Sequence, residues 1–201
     1  MEITVEMVKS LRELTGAGMM ECKKALQEAK GDVEQAKKIL RARGAEVAEK
    51  RSGRVAKQGV VEAYIHAGGR IGAMVEINCE TDFVARTDEF RHLAKDIAMQ
   101  ITAMNPLVVE REEISPQLVE KEKKDYLEQA QSEGKPADAV EKIVEDRLDK
   151  YFQEVVLLEQ AFIREPQRTI KDLITEMSGK TGEIVSIRRF QRFELGVDGS
   201  K

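Results

Sequence analysis

The stretch NCETDFVARTDEF, residues Asn78 to Phe90, joins two unlike patterns. Before it, Val75-Glu76-Ile77-Asn78-Cys79 alternates apolar and polar, as in a strand with one buried and one wet face. After it, Phe90, Leu93, Ala94, Ile97, Ala98 and Ile101 recur at the spacing of one helix face. The corner between them, Cys79 to Val84, carries neither Gly nor Pro. Acidic Glu80 and Asp82 stand directly beside apolar Phe83 and Val84. Two readings are open. Phe83 turns inward as a core plug and the acids turn out, or the corner is built to touch another molecule.

The pattern extends in both directions from this corner. Upstream, Val60 to His66 and Ile71 to Cys79 are rich in β-branched residues. Ala67-Gly68-Gly69-Arg70 joins them as a hairpin turn. Downstream, Asn105-Pro106 ends the helix. Ser115-Pro116 opens the next, with Ser as cap and Pro in the first turn, and this helix is expected to reach about Glu133. Gly134-Lys135-Pro136 turns the chain into a second long helix, expected from Ala137 to Leu158. Leu118, Val119, Tyr126 and Leu127 form a seam on the first helix. Val140, Ile143, Val144, Leu148, Tyr151, Phe152 and Val155 form one on the second. Together they predict a helical hairpin, a short antiparallel coiled coil, at 116–158. Pro116 to Leu158 holds seven basic and eleven acidic residues, which suits a protruding arm better than a catalytic wall. Thr169 is expected to cap a last helix bearing Ile170, Leu173, Ile174 and Met177, ended by Gly179 and Gly182. Ile184 to Leu195 reads as a strand completing a three-stranded antiparallel sheet, with an edge where two copies could pair.

The first 44 residues predict three short helices. Thr4 caps the first, which turns Met7, Val8, Leu11 and Leu14 inward, and Gly16-Ala17-Gly18 breaks it. The second, Met19 to Ala29, carries Cys22, Ala25, Leu26 and Ala29. Asp32 and Gln35 propose a capping box for the third, with Val33, Ala36, Ile39 and Leu40 inward and Gly44 as its end. So small a unit makes a marginal core and suits docking. Residues 45–57, with four basic and two acidic side chains, read as a linker, partly helical.

The bulk numbers set the class. The chain has 201 residues, 41% hydrophobic and 35% charged, with 4% aromatics and no Trp. This is an α+β composition with an aliphatic core and long solvated helices. A net charge of −4 does not predict general nucleic-acid affinity. Cys22 and Cys79 form no C-x-x-C, and only His66 and His92 could join them, so no metal site is expected. Isolated thiols fit a reducing cytoplasm. MEITVEMVKSL lacks the basic start and apolar run of a secretory leader. No apolar run reaches membrane-spanning length.

Few motifs carry chemistry. There is no P-loop, G-x-G-x-x-G or H-E-x-x-H. Gly68-Gly69 is a turn device before it is a phosphate cradle. Cys79 and His66 could form a thiol–imidazole pair, against the simpler reading of a buried thiol and an ordinary histidine. Glu80 and Asp82 could do acid–base work, against a solvated loop. Arg188, Arg189, Phe190, Arg192 and Phe193 have the composition of a stacking platform, and an alternating edge strand has the same composition. Residue patterns alone lead to a two-part, partner-binding α+β protein.

LRELTGAGMMECKKAL (Leu11–Leu26), VEINCETDFVAR (Val75–Arg86) and EGKPADAVEKIVEDRL (Glu133–Leu148) go further. With the start and the closing strand, they resemble the bacterial translation elongation factor Ts family over nearly the whole chain. The resemblance implies a ubiquitin-associated-like module at 1–44, a linker at 45–57 and a core at 58–201 with the helical-hairpin arm. It implies guanine-nucleotide exchange on the GTPase elongation factor Tu: binding of its GDP form, GDP release by disturbance of the Mg²⁺ and phosphate site, and retention until GTP rebinds. No catalytic residue, metal or cofactor is implied. Thr81, Asp82, Phe83 and Val84 match the stretch associated in the family with displacing Mg²⁺. Met19 and Met20 match the contact surface of the N-terminal module, and His66 a hairpin position that touches the partner in relatives. One copy of the Y-x-H…N-C-E-T-D-F pattern resembles the short form, in which two chains would pair through the Ile184–Leu195 strand. The resemblance also implies a cytoplasmic protein with no membrane and no direct nucleic-acid contact. The competing reading is an RNA- or ribosome-binding protein using the basic linker and the Arg-Phe strand.

Overall fold

Thr4 starts the first helix as its side chain predicts. Its Oγ1 accepts from the Met7 N–H at 3.3 Å, and α1 runs Val5–Thr15. Gly16, at φ 66°, closes it by donating to Arg12 O, a left-handed cap that a Cβ would disfavour. Helix α2 spans Met19–Glu28. Asp32 Oδ1 accepts from the Gln35 N–H at 3.0 Å to open α3, Val33–Lys50. The expected capping box is only half used, because the Asp32 N–H is taken by Ala29 O at 3.0 Å. The computed structural model describes residues 3–50 and 56–197. Residues 51–55 of the expected linker therefore lie outside the described residues.

Val8, Leu11, Cys22, Ala25, Leu26 and Ala36 form the buried cluster of the three helices, with Met7, Val33, Ile39 and Leu40 packed on it. Two expectations fail here. Leu14 is 60% exposed. Helix α2 passes on the Thr15 side of the last turn, with Cys22 Sγ 3.8 Å from Thr15 Oγ1, and Leu14 is left outside. Gly44 does not end α3. A lone glycine costs a helix about 1 kcal/mol relative to Ala, and the strong formers Ala45, Glu46, Ala48, Glu49 and Lys50 carry the helix past it.

Strand β1 is Gln58–Ile65 and β2 is Ile71–Cys79. His66 N–H donates to Ile71 O at 2.9 Å, and Gly68 and Gly69 take positive φ in the turn. Strand β5, Ser186–Glu194, lies next to β2, giving the antiparallel order β1-β2-β5. Alternation in β2 breaks at its end. Asn78 is buried rather than wet, and its Nδ2 donates to Gln58 O at 3.2 Å and to Glu76 Oε1 at 3.4 Å. Gly59 explains the tightness: a Cβ there would come within 2.0 Å of Ile77 O.

Helix α4 is Asp82–Ala85 and α5 is Asp88–Met104. The predicted α5 face, Phe90, Leu93, Ala94, Ile97, Ala98 and Ile101, is buried throughout. Helix α6 is Pro116–Ser132, capped by Ser115 Oγ accepting from the Leu118 N–H at 3.3 Å. Helix α7 is Ala137–Val155. It stops three residues before the expected Leu158, because Leu157 and Leu158 donate to Val108 O and Val109 O at 2.9 and 3.2 Å. The arm's seam forms two clusters. Ala130, Val140 and Val144 pack with Tyr126 and Ile143. Ile114, Phe152 and Val156 pack with Leu118, Val119, Leu148, Tyr151 and Val155. Ala130, fully buried, takes the seam place expected for Leu127, which is exposed.

A second, two-stranded sheet was not expected: β3, Ala161–Phe162, and β4, Glu165–Thr169. Buried Gln100 and Gln160 anchor it. Gln100 Nε2 donates to Gln160 Oε1 and to Ala161 O, each at 3.1 Å, and Gln100 Oε1 accepts from the Ile163 N–H at 3.0 Å. Helix α8, Ile170–Thr181, follows directly and continues through Gly179, another expected stop. The chain forms two compact units. One comprises Met1–Val61, Glu76–Ala94 and Asp172–Ile187, the other Glu62–Val75, Lys95–Lys171 and Arg188–Lys201.

Candidate functional site

Strand β2 ends at Cys79, and the next two residues meet a carboxylate. Glu183 Oε2 accepts from the N–H groups of Glu80 and Thr81, each at 3.0 Å, while Thr81 Oγ1 donates to Glu183 Oε1 at 2.5 Å. Glu80 answers, its Oε1 accepting from the Ile184 N–H at 2.8 Å. Thr81, at φ −123° and ψ 155°, caps α4 through Oγ1 and the Val84 N–H at 3.4 Å. Thr87 then caps α5, its Oγ1 accepting from the Phe90 N–H at 3.3 Å while donating to Val84 O at 2.8 Å. Glu80, Thr81 and Thr87 thus hold the two ends of the turn through carboxylate and capping bonds, and Ala85 and Phe90 are buried beneath it.

On this corner Phe83 is 81% exposed. The core-plug reading of Phe83 is therefore wrong. Burial beneath the corner is supplied by Ala85 and Phe90, two and seven residues on, leaving the second residue of α4 to point away. Leaving a phenyl ring in water forgoes the stabilisation its burial would bring. Asp82 pairs with Arg86 at 2.8 Å across one turn, both partly solvated, so it is presented as half of an ion pair. Val84 is half-buried. The structure thus presents Thr81, Asp82, Phe83 and Val84 on one short turn anchored by Glu183 and Thr87.

Cys79 lacks the setting of an attacking thiol. It is fully buried, and its Sγ donates to Thr81 O at 3.1 Å. Burial, and next the Glu183 carboxylate, push the thiol up from 9.0 to about 11. An attacking cysteine needs the opposite shift. His66 Nδ1 lies 3.2 Å from Tyr64 Oη at the exposed end of the hairpin, so its ring engages a side chain of the strand just before it rather than a thiol. Glu80 and Asp82 are likewise bound to Ile184 and Arg86 rather than paired for proton transfer. Among the described residues no group of three or more His, Cys, Asp or Glu could hold a metal ion, and no helix is long and apolar enough to cross a membrane.

Met19 and Met20 open α2 behind Gly18, and Met20 is 64% exposed. In the other unit Arg192, central to the Arg-Phe strand, is bound to Glu194 at 2.8 Å and to Thr102 O at 3.2 Å. The residue that sequence reading missed is Glu183. Its partners lie more than a hundred positions upstream, and nothing in Thr181-Gly182-Glu183 marks it locally.

The family model for elongation factor Ts matches residues 3–197. The chain belongs to the elongation factor Ts family. Elongation factor Ts of Carboxydothermus hydrogenoformans is 61% identical over 194 residues, covering 96% of this chain and 89% of that relative. The same-named protein of Caldanaerobacter subterraneus is 56% identical over 194 residues, covering 96% and 97%. That of Thermotoga petrophila is 53% identical over 196 residues, covering 98% of each. The chain therefore spans most of the length of each of these three relatives, and the corner at Thr81–Val84 falls well inside the matched region.

Proposed function

We propose that this member of the elongation factor Ts family is the guanine-nucleotide exchange factor for elongation factor Tu, acting without catalytic residues or a cofactor. A GTPase holds GDP through phosphate-loop donors and a Mg²⁺ ion. A partner accelerates release only by binding the nucleotide-free or Mg²⁺-free conformation more tightly. Phe83 is the anchor: its ring enters an apolar gap in the GTPase and shifts the elements that carry the Mg²⁺ shell. Such an anchor can contribute ~2 kcal/mol or more. Asp82 adds negative charge where phosphate would return. Met19 and Met20, on the 1–44 docking module, offer an adaptable second contact, and His66 a weaker third. By linkage GDP weakens the complex by the factor that the complex weakens GDP, so the factor recycles. The observation that carries this reading is an aromatic ring 81% exposed on a corner tied down by the Glu183 carboxylate.

Two chains pair in this proposal through the sheet bearing β5. Ile65, Met74, Phe193 and Leu195 are all exposed on its strands and their ends, and large apolar side chains left in water are what a protein–protein contact would cover. The RNA-binding reading is disfavoured by Arg192 being already bound.

The test is release of a fluorescent GDP analogue from elongation factor Tu in Mg²⁺. The release rate is expected to rise with added protein and to drop sharply with Phe83→Ala. No acceleration by the wild-type protein removes the exchange reading.

A further inference from the structure

Helix α4 has four residues, too few to hold its own direction. Phe83 is its second residue and is too exposed for packing to orient its ring. The direction of the ring therefore depends on how α4 is anchored: buried Ala85 and the Thr87 hydroxyl on Val84 O hold its far end, and Thr81, whose extended backbone sets where α4 departs, holds the near one. Thr81 is fixed by its N–H and its hydroxyl, and both donate to one side chain, Glu183. The segment carrying Glu183 is fixed in turn: the Glu183 N–H donates to Thr181 Oγ1 at 3.3 Å, and the Val185 N–H to Ser178 Oγ at 3.0 Å. Glu80 closes the loop through the Ile184 N–H. The two segments thus exchange carboxylate-to-amide bonds in both directions. Charge-assisted bonds of this kind are short and directional.

We propose that Glu183 is the positioning residue of the Phe83 wedge, holding the corner in the geometry that the GTPase requires. This rests on the reading of Phe83 as the exchange-promoting anchor. Glu183 need not touch the partner. Its contribution is to present the ring already oriented, so that binding does not have to order the turn. A side chain that serves only stability would instead affect exchange whether or not the ring is there.

A double-mutant cycle separates these roles. Glu183→Ala, Phe83→Ala and the double variant are compared for GDP-analogue release from elongation factor Tu, across concentrations of the exchange factor, with thermal unfolding of each. On the wild-type background Glu183→Ala is expected to lower the maximal release rate about tenfold. On the Phe83→Ala background it is expected to change that rate less than about twofold. Glu183→Gln keeps one acceptor oxygen and is expected to fall between; should Glu183→Ala not fold, it carries the same comparison. An equal loss on both backgrounds, or no loss on the wild-type background, overturns the positioning role while leaving the wedge intact. An unchanged rate with Phe83→Ala alone overturns the wedge itself and the role of Glu183 with it.

Discussion

Thr81 Oγ1 donates to Glu183 Oε1 at 2.5 Å although the two residues are 102 positions apart in sequence. The same hydroxyl oxygen accepts from the Val84 N–H, so one atom closes a long-range contact and caps a helix. Thr81→Val keeps the shape and removes both bonds. It is expected to cost about 1 kcal/mol of stability, read from the midpoint of urea unfolding, whereas Thr81→Ser stays near the wild type. A Val variant as stable as the wild type would show that the hydroxyl adds nothing net and that the backbone bonds to Glu183 and packing hold the corner.

Cys79 gives stability a pH dependence of known sign. Its thiol is held at about 11 in the folded chain against an ordinary value of 9.0. Below pH 9 both states keep the proton and the group has no effect. Between about 9 and 11 the unfolded chain loses the proton that the folded chain keeps, so stability falls as pH rises through that window. The fall is expected to reach about 2 kcal/mol and to be missing in Cys79→Ala. Urea unfolding of both proteins from pH 8 to 11 checks it, and parallel curves would place the thiol at its ordinary value.

At the base of the arm Arg111 lies 4.3 Å over the Phe152 ring, is bound to Asp149 at 3.2 Å, and grips Glu159 with two guanidinium nitrogens. The two carboxylates, Glu159 first and then Asp149, raise its pKa. Arg111→Ala is expected to lower stability by about 1 kcal/mol. Arg111→Lys should recover less than half of that, since an ammonium can neither fork nor stack in this way. Thermal unfolding of the three proteins gives the comparison, and full rescue by Lys would reduce the site to simple charge.

Phe193, 64% exposed on β5, tests the proposed pairing of two chains. Phe193→Glu is expected to sediment as a monomer where the wild type sediments as a dimer, with little change in monomer unfolding because the ring is already in water. A wild-type protein that stays monomeric at high concentration removes the pairing.

Local chemistry was legible and distant chemistry was not. Thr4, Asp32 and Ser115 each cap the helix that their position predicts, because a cap is settled within three residues. Gly44 and Gly179 were misread as stops, since one glycine costs a helix less than its neighbours restore. Strands β3 and β4 escaped notice because Glu165-Pro166-Gln167-Arg168-Thr169 shows no alternation. They are held by Gln100 and Gln160, sixty positions apart. At the candidate site the four residues Thr81 to Val84 stood out, yet the sign of Phe83's exposure did not. Exposure depends on Ala85 and Phe90 filling the space below. Glu183 could not be found at all, since only folding brings it to the corner.

Both cysteines, Cys22 and Cys79, are buried, and this makes the chain a convenient spectroscopic host. Thiol reagents reach a buried sulfur slowly, and slower still when little of it is thiolate. A single cysteine placed at an exposed position such as Arg86 would be modified by a dye long before either native thiol, with no prior substitution of the originals. A reporter one turn from Phe83 could then register the arrival of a partner at the corner itself, on the time scale of the encounter.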